Sequence, residues 1–365
     1  MEPETAELGP SILLPSVKEL AKEALTKVPE RYVIRSDIDP PIISNKHSLP
    51  QIPVIDLDKL CSEEVKGPEL EKLDLACKEW GFFQLINHGV SITLVEDVKT
   101  GAQELFNLSM EEKSKLWQKP GDMEGFGQMF NMSKKEASDW VDLFYIFTLP
   151  SHLRKPHLFP NIPLPLRENL EAYCTKMRDL AINIFVVIGK ALGIEPKYIT
   201  ESLGEGGQSM RINYYPPCPQ PENVLGLKAH TDGSALTILL QANEVEGLQI
   251  RKDGMWVPVK PLPSAFIITL GDVMQVMTNG IYRSAKHRAI VNSEKERLSI
   301  ATFYGPEWSG NIGPAPTLVT PERPALYKTI GVADFYKEYL SPEHHGKSYI
   351  NDVLRIQNEN VKACF

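Results

Sequence analysis

The first two hundred residues place apolar side chains at helical spacing in several stretches. From residue 164 to 192, apolar positions recur every three or four residues, and Pro165 suits the first turn of a helix. This pattern predicts a long helix that packs its apolar face on the core. The same spacing predicts shorter helices over 69–80 and 94–105, and residues 17–25 form a short amphipathic segment. Between them, short apolar runs predict strands at 52–57 and 81–86.

The pattern changes near residue 208, where short β-rich runs separated by turn residues replace the helical spacing. Strands are predicted at 209–215, 234–241, 247–251, 256–260, 265–270, 273–277, 281–284, 287–292 and 297–304. Many short strands indicate a sandwich or barrel, of which the double-sheet jelly roll is one form. We therefore expect an α-rich region over 1–205, a β core over 206–310 and a helical tail over 311–365, packed as one unit.

Composition and charge narrow the partners that the chain could have. The net charge of −8 gives no overall basic face of the kind that binds nucleic acids or anionic membranes, so neither is expected. Five scattered cysteines without a C-x-x-C pair favour a reducing compartment. The first residues lack a signal-peptide pattern, and no apolar run reaches membrane-spanning length, so we expect a cytoplasmic protein. Because no long apolar stripe is left exposed, we expect a monomer.

Three residues of the β-rich region offer a metal site. His230 and Asp232 are two positions apart, so on an extended strand both side chains point to the same face. His287 follows on a later predicted strand. Two histidines and one carboxylate form the facial triad of non-haem Fe(II) oxygenases, which leaves coordination positions open for a co-substrate and dioxygen. Taken singly, each histidine could instead be a structural residue, which is how we interpret His88 in its turn.

A second group of polar residues follows His287. Arg297 and Ser299 share a face of the predicted strand, and a guanidinium beside a hydroxyl binds a carboxylate through charge-assisted hydrogen bonds. In isolation, a surface ion pair of Arg297 with Glu294 or Glu296 would be the more common role for such a residue. Together with the metal triad, it favours a small dicarboxylate that is chelated at one end and anchored at the other.

These motifs resemble the plant 2-oxoglutarate- and Fe(II)-dependent dioxygenases from about residue 50 to 340. The matching stretches are 80–89, 213–219, His230-x-Asp232, 247–249, 279–280, 287–288 and Arg297-x-Ser299. Within that family the chain is most similar to the senescence-related-gene-like branch, which includes the thebaine and codeine O-demethylases. The closer likeness lies in residues 124–128, 152–159, 243–250 and 296–303.

The resemblance implies a fold, cofactors and further site residues. The fold is mainly β with α: a distorted double-stranded β-helix core, jelly-roll or cupin-like, flanked by N-terminal helices. Fe(II) would be bound by the catalytic triad of His230, Asp232 and His287. The implied co-substrates are 2-oxoglutarate and O2, with ascorbate as reductant, and 2-oxoglutarate would contact Arg297, Ser299, Tyr215 and Asn213. The family pattern lines the substrate pocket with Leu143, Tyr145, Arg211, Phe303, Tyr304 and Trp308.

Two glycines depart from relatives of known specificity. The alkaloid demethylases resemble one another in having a phenylalanine where Gly233 stands, and anthocyanidin-synthase-like relatives have an acidic residue in place of Gly305. The substrate is therefore not carried over. The resemblance implies hydroxylation or O-demethylation of a small plant specialised metabolite, aromatic, alkaloid or phenylpropanoid-like, with release of succinate and CO2. The alternatives are an ascorbate-dependent oxidase of the same fold, a catalytically silent small-molecule binding protein, and a metal-free interaction module.

Overall fold

The computed structural model describes residues 16–23, 25–34, 49–62, 66–119, 122–127, 137–204, 206–341 and 349–356. Its α-helices are α1 (Val17–Lys22), α2 (Leu57–Cys61), α3 (Lys66–Glu79), α4 (Ile92–Asn107), α5 (Met110–Ser114), α6 (Leu164–Leu192), α7 (Pro196–Leu203), α8 (Asp272–Met277) and α9 (Val332–Tyr339). Its strands are β1 (Val54–Asp56), β2 (Phe82–Ile86), β3 (Gly125–Gly127), β4 (Asp142–Leu149), β5 (Gln208–Tyr215), β6 (Leu227–His230), β7 (Leu236–Gln241), β8 (Leu248–Lys252), β9 (Met255–Pro258), β10 (Phe266–Leu270), β11 (His287–Ala289), β12 (Arg297–Tyr304), β13 (Asn311–Ile312) and β14 (Ile330–Gly331). The three helices predicted in the first half are confirmed as α3, α4 and α6, and the amphipathic segment forms α1, which ends at Lys22.

Two sheets form the core of the protein. The larger has the strand order β1-β2-β10-β7-β12-β5-β4-β3, and the smaller has the order β6-β11-β8-β9. A cavity between them is lined from both sides, for example by Ser299 of β12 and His287 of β11. This arrangement of two largely antiparallel sheets with helices around them confirms the expected jelly-roll core.

The register of the larger sheet decides which side chains face the cavity. Two rows run across β12, β5 and β4: Ser299–Asn213–Leu143 and Ala301–Arg211–Tyr145. Because successive residues of a strand point to opposite faces, the residues between these rows point away from the cavity. They include Ile300, Ile212 and Phe144, which are buried in the main hydrophobic core. One face of the sheet is thus polar and lines the cavity, and the other is apolar.

The long helix α6 belongs to the core on the apolar side of the larger sheet. Its buried side chains include Leu170, Tyr173, Met177, Leu180, Ile184 and Ile188, at the predicted three-and-four spacing. The helix ends at Gly193, whose φ of 67° is the left-handed conformation that glycine adopts readily at a helix end. α3 and α4 pack against the same helix. The helical layer therefore leaves the polar face of the sheet available for a binding site.

Two predicted strands of the second half are wrong. Residues 273–277 form α8, and residues 281–284 form no strand. A short apolar run looks the same in a buried helix as in a buried strand, and Val273, Met274 and Val276 are all buried. Gly271 lets the start of α8 pass close to the backbone of Ser234, because a Cβ there would lie 2.0 Å from Ser234 O.

Some expectations concern residues outside the described ranges. The segment 1–15, which gave no signal-peptide pattern, and Cys364 are among them. Within the described ranges, none of the helices has the length and apolar character needed to cross a membrane. Cys61, Cys77, Cys174 and Cys218 are free thiols.

Candidate metal centre and carboxylate pocket

The three predicted metal ligands converge at the cavity. His230 ends β6 and lies opposite His287 of β11 in the smaller sheet, and Asp232 follows β6 directly. Asp232 Oδ1 lies 3.6 Å from His230 Nε2 and 3.8 Å from His287 Nε2. One ligand atom from each residue lies within 4.8 Å of the other two. The three side chains can therefore bind one ion from the same side.

Backbone carbonyls fix the tautomer of both histidines. His230 Nδ1 lies 2.7 Å from Lys228 O, and His287 Nδ1 lies 2.9 Å from Ala285 O. Because a carbonyl oxygen only accepts, each Nδ1 carries the hydrogen and each Nε2 presents its lone pair. Metal-ligating histidines are commonly oriented in this way.

The protonation of the site also suits metal binding. Thr237 Oγ1 donates to Asp232 Oδ2 at 2.7 Å, which leaves Oδ1 directed at the histidines. Burial, followed by the neighbouring His287, holds the pKa of His230 well below its usual value. Burial works against ionisation of Asp232, but His287, His230 and the Thr237 hydrogen bond outweigh it and hold its pKa below the usual value. At neutral pH the site thus presents a neutral imidazole and a carboxylate, the forms that ligate a metal.

This donor set fits ferrous iron. His230 Nε2 is buried and has no hydrogen-bond partner, a state that is costly unless something binds there. Two imidazoles and one carboxylate on one face are the ligands of non-haem Fe(II) oxygenases, whereas a structural zinc site takes four protein ligands. In the part of the chain that the structure describes, no other cluster of histidine, cysteine and acidic residues is arranged to hold a metal ion.

Arg297 lies in the same cavity with its guanidinium enclosed. The residue is only 2% exposed, and it donates from Nη1 to Ser299 Oγ at 3.4 Å and from Nη2 to Gln241 Oε1 at 3.2 Å. Its Nε is buried without a hydrogen-bond partner. Gly247 makes room for this side chain, because a Cβ there would lie 2.9 Å from Arg297 Cδ. Burial lowers the pKa of Arg297, yet a guanidinium stays charged in proteins, so the pocket suits a carboxylate.

Asn213 and Tyr215 complete the predicted 2-oxoglutarate residues. Asn213 Nδ2 donates to Ser299 Oγ at 3.5 Å, and its Oδ1 is buried without a hydrogen-bond partner. The Tyr215 ring centroid lies 5.1 Å from Arg297 Cζ. Both residues line the cavity together with Asp232 and His287. A dicarboxylate that extends from the metal to Arg297 therefore fits the polar groups present.

Four of the six predicted substrate-pocket residues lie on the cavity side of the larger sheet. Arg211 and Phe303 line the cavity, and the guanidinium carbon of Arg211 lies 5.5 Å from the Phe303 ring centroid. The charge of Arg211 contributes to the low pKa of His230, after burial and the larger effect of His287. Leu143 and Tyr145 share the same face on β4. Arg211 and Phe303 thus lie in the cavity with Asp232 and His287, and Leu143 and Tyr145 belong to the same face of the sheet.

The other two predicted pocket residues lie elsewhere. Tyr304 follows Phe303 on β12 and so points to the opposite face, where it hydrogen-bonds to Gln208 and packs in the main core. Trp308 lies beyond β12 and is 50% exposed. Its ring stacks on Tyr336 with centroids 5.6 Å apart, outside the cavity lining. The structure therefore does not bring Tyr304 to the site, and it leaves Trp308 at the surface.

The sequence analysis assigned no role to three residues at or beside the cavity: Thr237 and Arg288 line it, and Gln241 contacts Arg297. Thr237 and Gln241 both lie on β7 and contact Asp232 and Arg297, respectively. Arg288 donates from Nε to Gln249 Oε1 at 2.8 Å, and its guanidinium carbon lies 4.3 Å from the Trp256 ring centroid. The available signal was polarity, because Thr237 and Gln241 are the polar positions of an otherwise apolar strand, Leu236–Gln241.

Comparison with known proteins gives consistent matches. Residues 206–306 match the 2OG-Fe(II) oxygenase superfamily, and residues 52–162 match the non-haem dioxygenase in morphine synthesis N-terminal family. The chain is 50% identical over 355 residues to the oxoglutarate-dependent flavonoid 7-O-demethylase 1 of Ocimum basilicum, covering 97% of this chain and 94% of the relative. It is 51% identical over 355 residues to the codeine O-demethylase of Papaver somniferum, covering 96% and 98%.

A solved structure shares the fold over almost the whole chain. The crystal structure of JOX2 in complex with 2OG, Fe, and JA has a TM-score of 0.84 and 34% sequence identity. The match covers 94% of this chain and 98% of that one.

Proposed function

Because the chain belongs to the 2-oxoglutarate- and Fe(II)-dependent oxygenase family, we propose that it removes an O-methyl group from a methoxylated aromatic metabolite. The observation that carries the proposal is the nature of the relatives at about half identity. One is named for flavonoids and another for codeine, yet both are O-demethylases. Bond cleavage at a methyl ether is therefore the property that these two named relatives share, whereas the scaffold of the substrate differs between them.

In the proposed site, His230, Asp232 and His287 hold Fe(II). Arg297 and Ser299, with Tyr215 beside them, anchor the distal carboxylate of 2-oxoglutarate, and Asn213 lies beside its chelating end. When bound, iron and 2-oxoglutarate supply the oxidation: methyl ether, O2 and 2-oxoglutarate become hydroxyl compound, formaldehyde, succinate and CO2. The fixed tautomers of the histidines keep both Nε2 atoms available for the ion.

The protein's own contribution is to orient the substrate. The C–H bond that lies nearest the metal centre reacts, so positioning decides which methyl group is lost. Phe303, Leu143 and Tyr145 provide the apolar and aromatic wall for a flat ring. Arg211 offers hydrogen-bond donors to a substrate oxygen close to the metal ligands, and Trp308 contacts the part of the substrate that projects outward.

Further features belong to the same proposal. Ascorbate keeps the iron ferrous between turnovers. The chain acts as a cytoplasmic monomer without a nucleic-acid partner, supported by its net charge of −8 and its free cysteines. The regions 1–205, 206–310 and 311–365 form one integrated unit. An ascorbate-dependent oxidase and a silent binding protein are not favoured, because the residues suited to 2-oxoglutarate and to iron are present together.

A substrate panel tests the proposal. Succinate and formaldehyde are measured with Fe(II), 2-oxoglutarate and air, using methoxylated flavonoids and alkaloids, each paired with its demethylated counterpart as a matched control. We expect one methoxylated compound to stimulate both products in equal amounts, while its counterpart stimulates neither. Substrate-dependent succinate without formaldehyde would replace demethylation by hydroxylation. No iron-dependent succinate above that of a boiled control, with protein shown to be folded and iron-loaded, would overturn the family chemistry as well.

A further inference from the structure

The C-terminal helix α9 contacts the backbone on both sides of Asp232. Tyr336 and Tyr339 are three residues apart, so their side chains lie on the same face of the helix. Tyr339 OH donates to Thr231 O at 3.0 Å, and Tyr336 OH donates to Gly233 O at 3.3 Å. Burial raises the pKa of both hydroxyls, so both keep the hydrogen that they donate. The two tyrosines thus hold the two carbonyls that flank the carboxylate ligand.

Two glycines create the space that these tyrosines occupy. A Cβ at residue 233 would lie 2.7 Å from Tyr339 Cε1 and 2.9 Å from its Cζ. A Cβ at residue 305 would lie 2.7 Å from Tyr336 OH. All three distances are shorter than real Cβ contacts, so a side chain at either glycine would displace the neighbouring tyrosine. Close docking of α9 therefore depends on Gly233 and Gly305.

Other contacts hold the same short segment. Asp272 N donates to Asp232 O at 2.7 Å, and Thr231 Oγ1 donates to Asp272 Oδ2 at 2.9 Å. On the side chain, Thr237 holds Asp232 Oδ2. These bonds attach residues 231–233 to α8 and β7. Tyr336 and Tyr339 attach the same residues to α9. The direction of the Asp232 carboxylate depends on all of them, because it follows the backbone at residues 231–233.

We propose that Tyr336 and Tyr339 are positioning residues that hold Asp232 in its metal-binding orientation, which makes α9 a part of the metal site. The proposal rests on the assignment of His230, Asp232 and His287 as metal ligands. Hydrogen-bonded groups behind a ligand are typically worth about 10- to 100-fold in metal affinity. Since Tyr339 makes the shorter bond, its hydroxyl should contribute more than that of Tyr336.

Metal affinity tests the proposal without any turnover. Mn(II) is titrated into the metal-free full-length protein by calorimetry, for the wild type, Tyr339→Phe and Tyr336→Phe. We expect Tyr339→Phe to raise the Kd for Mn(II) about tenfold and Tyr336→Phe to raise it less. The matched control is Tyr327→Phe, which removes a buried hydroxyl that accepts from Gln275 Nε2 at 2.8 Å, and it should leave the Kd unchanged.

A second variant separates positioning from general packing. Gly233→Ala should displace the Tyr339 ring and weaken Mn(II) binding by itself. In the Tyr339→Phe background, Gly233→Ala should raise the Kd for Mn(II) by a smaller factor, because the hydrogen bond from Tyr339 is already lost. The proposal is overturned if Tyr339→Phe binds Mn(II) like the wild type. It is also overturned if the fold-increase in Kd of the double variant equals the product of the fold-increases of Gly233→Ala and Tyr339→Phe. Asp232→Ala distinguishes a different failure: if it binds Mn(II) as tightly as the wild type, the metal site itself has been assigned wrongly.

Discussion

Replacing Arg297 with lysine tests the carboxylate pocket sharply. Arg297 is buried and lines the cavity, it bonds to Ser299 and Gln241, and its Nε is buried without a hydrogen-bond partner. Lysine keeps a positive charge but replaces the planar fork with a single ammonium group, so it cannot donate two parallel bonds to one carboxylate. Arg297→Lys should therefore retain the attraction for 2-oxoglutarate and lose one of its two charge-assisted hydrogen bonds.

The size of the effect follows from that one bond. A hydrogen bond to a charged group contributes about 1.5–3 kcal/mol. At about 1.4 kcal/mol for each factor of ten, the Kd for 2-oxoglutarate should rise between about 10- and 150-fold. In the proposed site the reacting end of 2-oxoglutarate would lie at the metal, away from Arg297, so kcat should change much less than KM.

The assay measures succinate release against 2-oxoglutarate concentration, together with the Kd of 2-oxoglutarate for the metal-loaded protein. The matched control is Arg323→Lys at an exposed position, which should alter neither value. As a second ligand, 2-oxopentanoate lacks the distal carboxylate, so the wild type should bind it weakly. The preference for 2-oxoglutarate over 2-oxopentanoate should shrink in Arg297→Lys. An unchanged preference would refute the role of Arg297, even if overall affinity fell.

Two further predictions concern stability. Burial raises the pKa of Glu124 from 4.5 to about 7, so the folded chain binds a proton in that range that the unfolded chain releases, and stability should fall as pH rises through it. Glu124→Gln should therefore raise the free energy of unfolding, measured with denaturant, by up to about 3 kcal/mol near pH 8 and by little near pH 4.5. An equal rise at both pH values would contradict this. Gly81→Ala should lower the free energy of unfolding by at least about 2 kcal/mol in the same assay. Residue 81 has a φ of 62°, and a Cβ there would lie 2.0 Å from Arg283 O. A decrease of less than about 0.5 kcal/mol would refute the clash.

Much of the metal site could be predicted because its signals are local. His230 and Asp232 are two residues apart, and strand geometry alone places them on one face. The same two-residue spacing places Arg297 and Ser299 on one face of β12. The alternation of side chains along a strand also explains why Tyr304 does not lie at the predicted pocket. Tyr304 is one residue from Phe303, so its side chain points to the other side of the sheet.

The contacts that orient the ligands could not be predicted from local patterns. Tyr339 and Thr231 are separated by 108 residues, and nothing in the sequence around α9 indicates a bond to that carbonyl. Likewise, Gln241 meets Arg297 only because β7 and β12 are neighbours in the sheet. The wrong strand prediction for residues 273–277 has a different origin. In a short apolar run that is buried, the hydrophobic positions show neither the helical nor the strand repeat, so the two structures cannot be told apart.

Iron-dependent turnover of 2-oxoglutarate in two histidine variants tests the site most directly. His287→Ala removes a ligand of the triad, whereas His88→Ala removes a histidine whose Nε2 lies 2.9 Å from Ser264 O, outside the triad. With a stimulating substrate and Fe(II), we predict succinate release by the wild type and by His88→Ala, and almost none by His287→Ala when all three proteins are folded. Equal succinate release by His287→Ala and the wild type would contradict an iron centre at His230, Asp232 and His287.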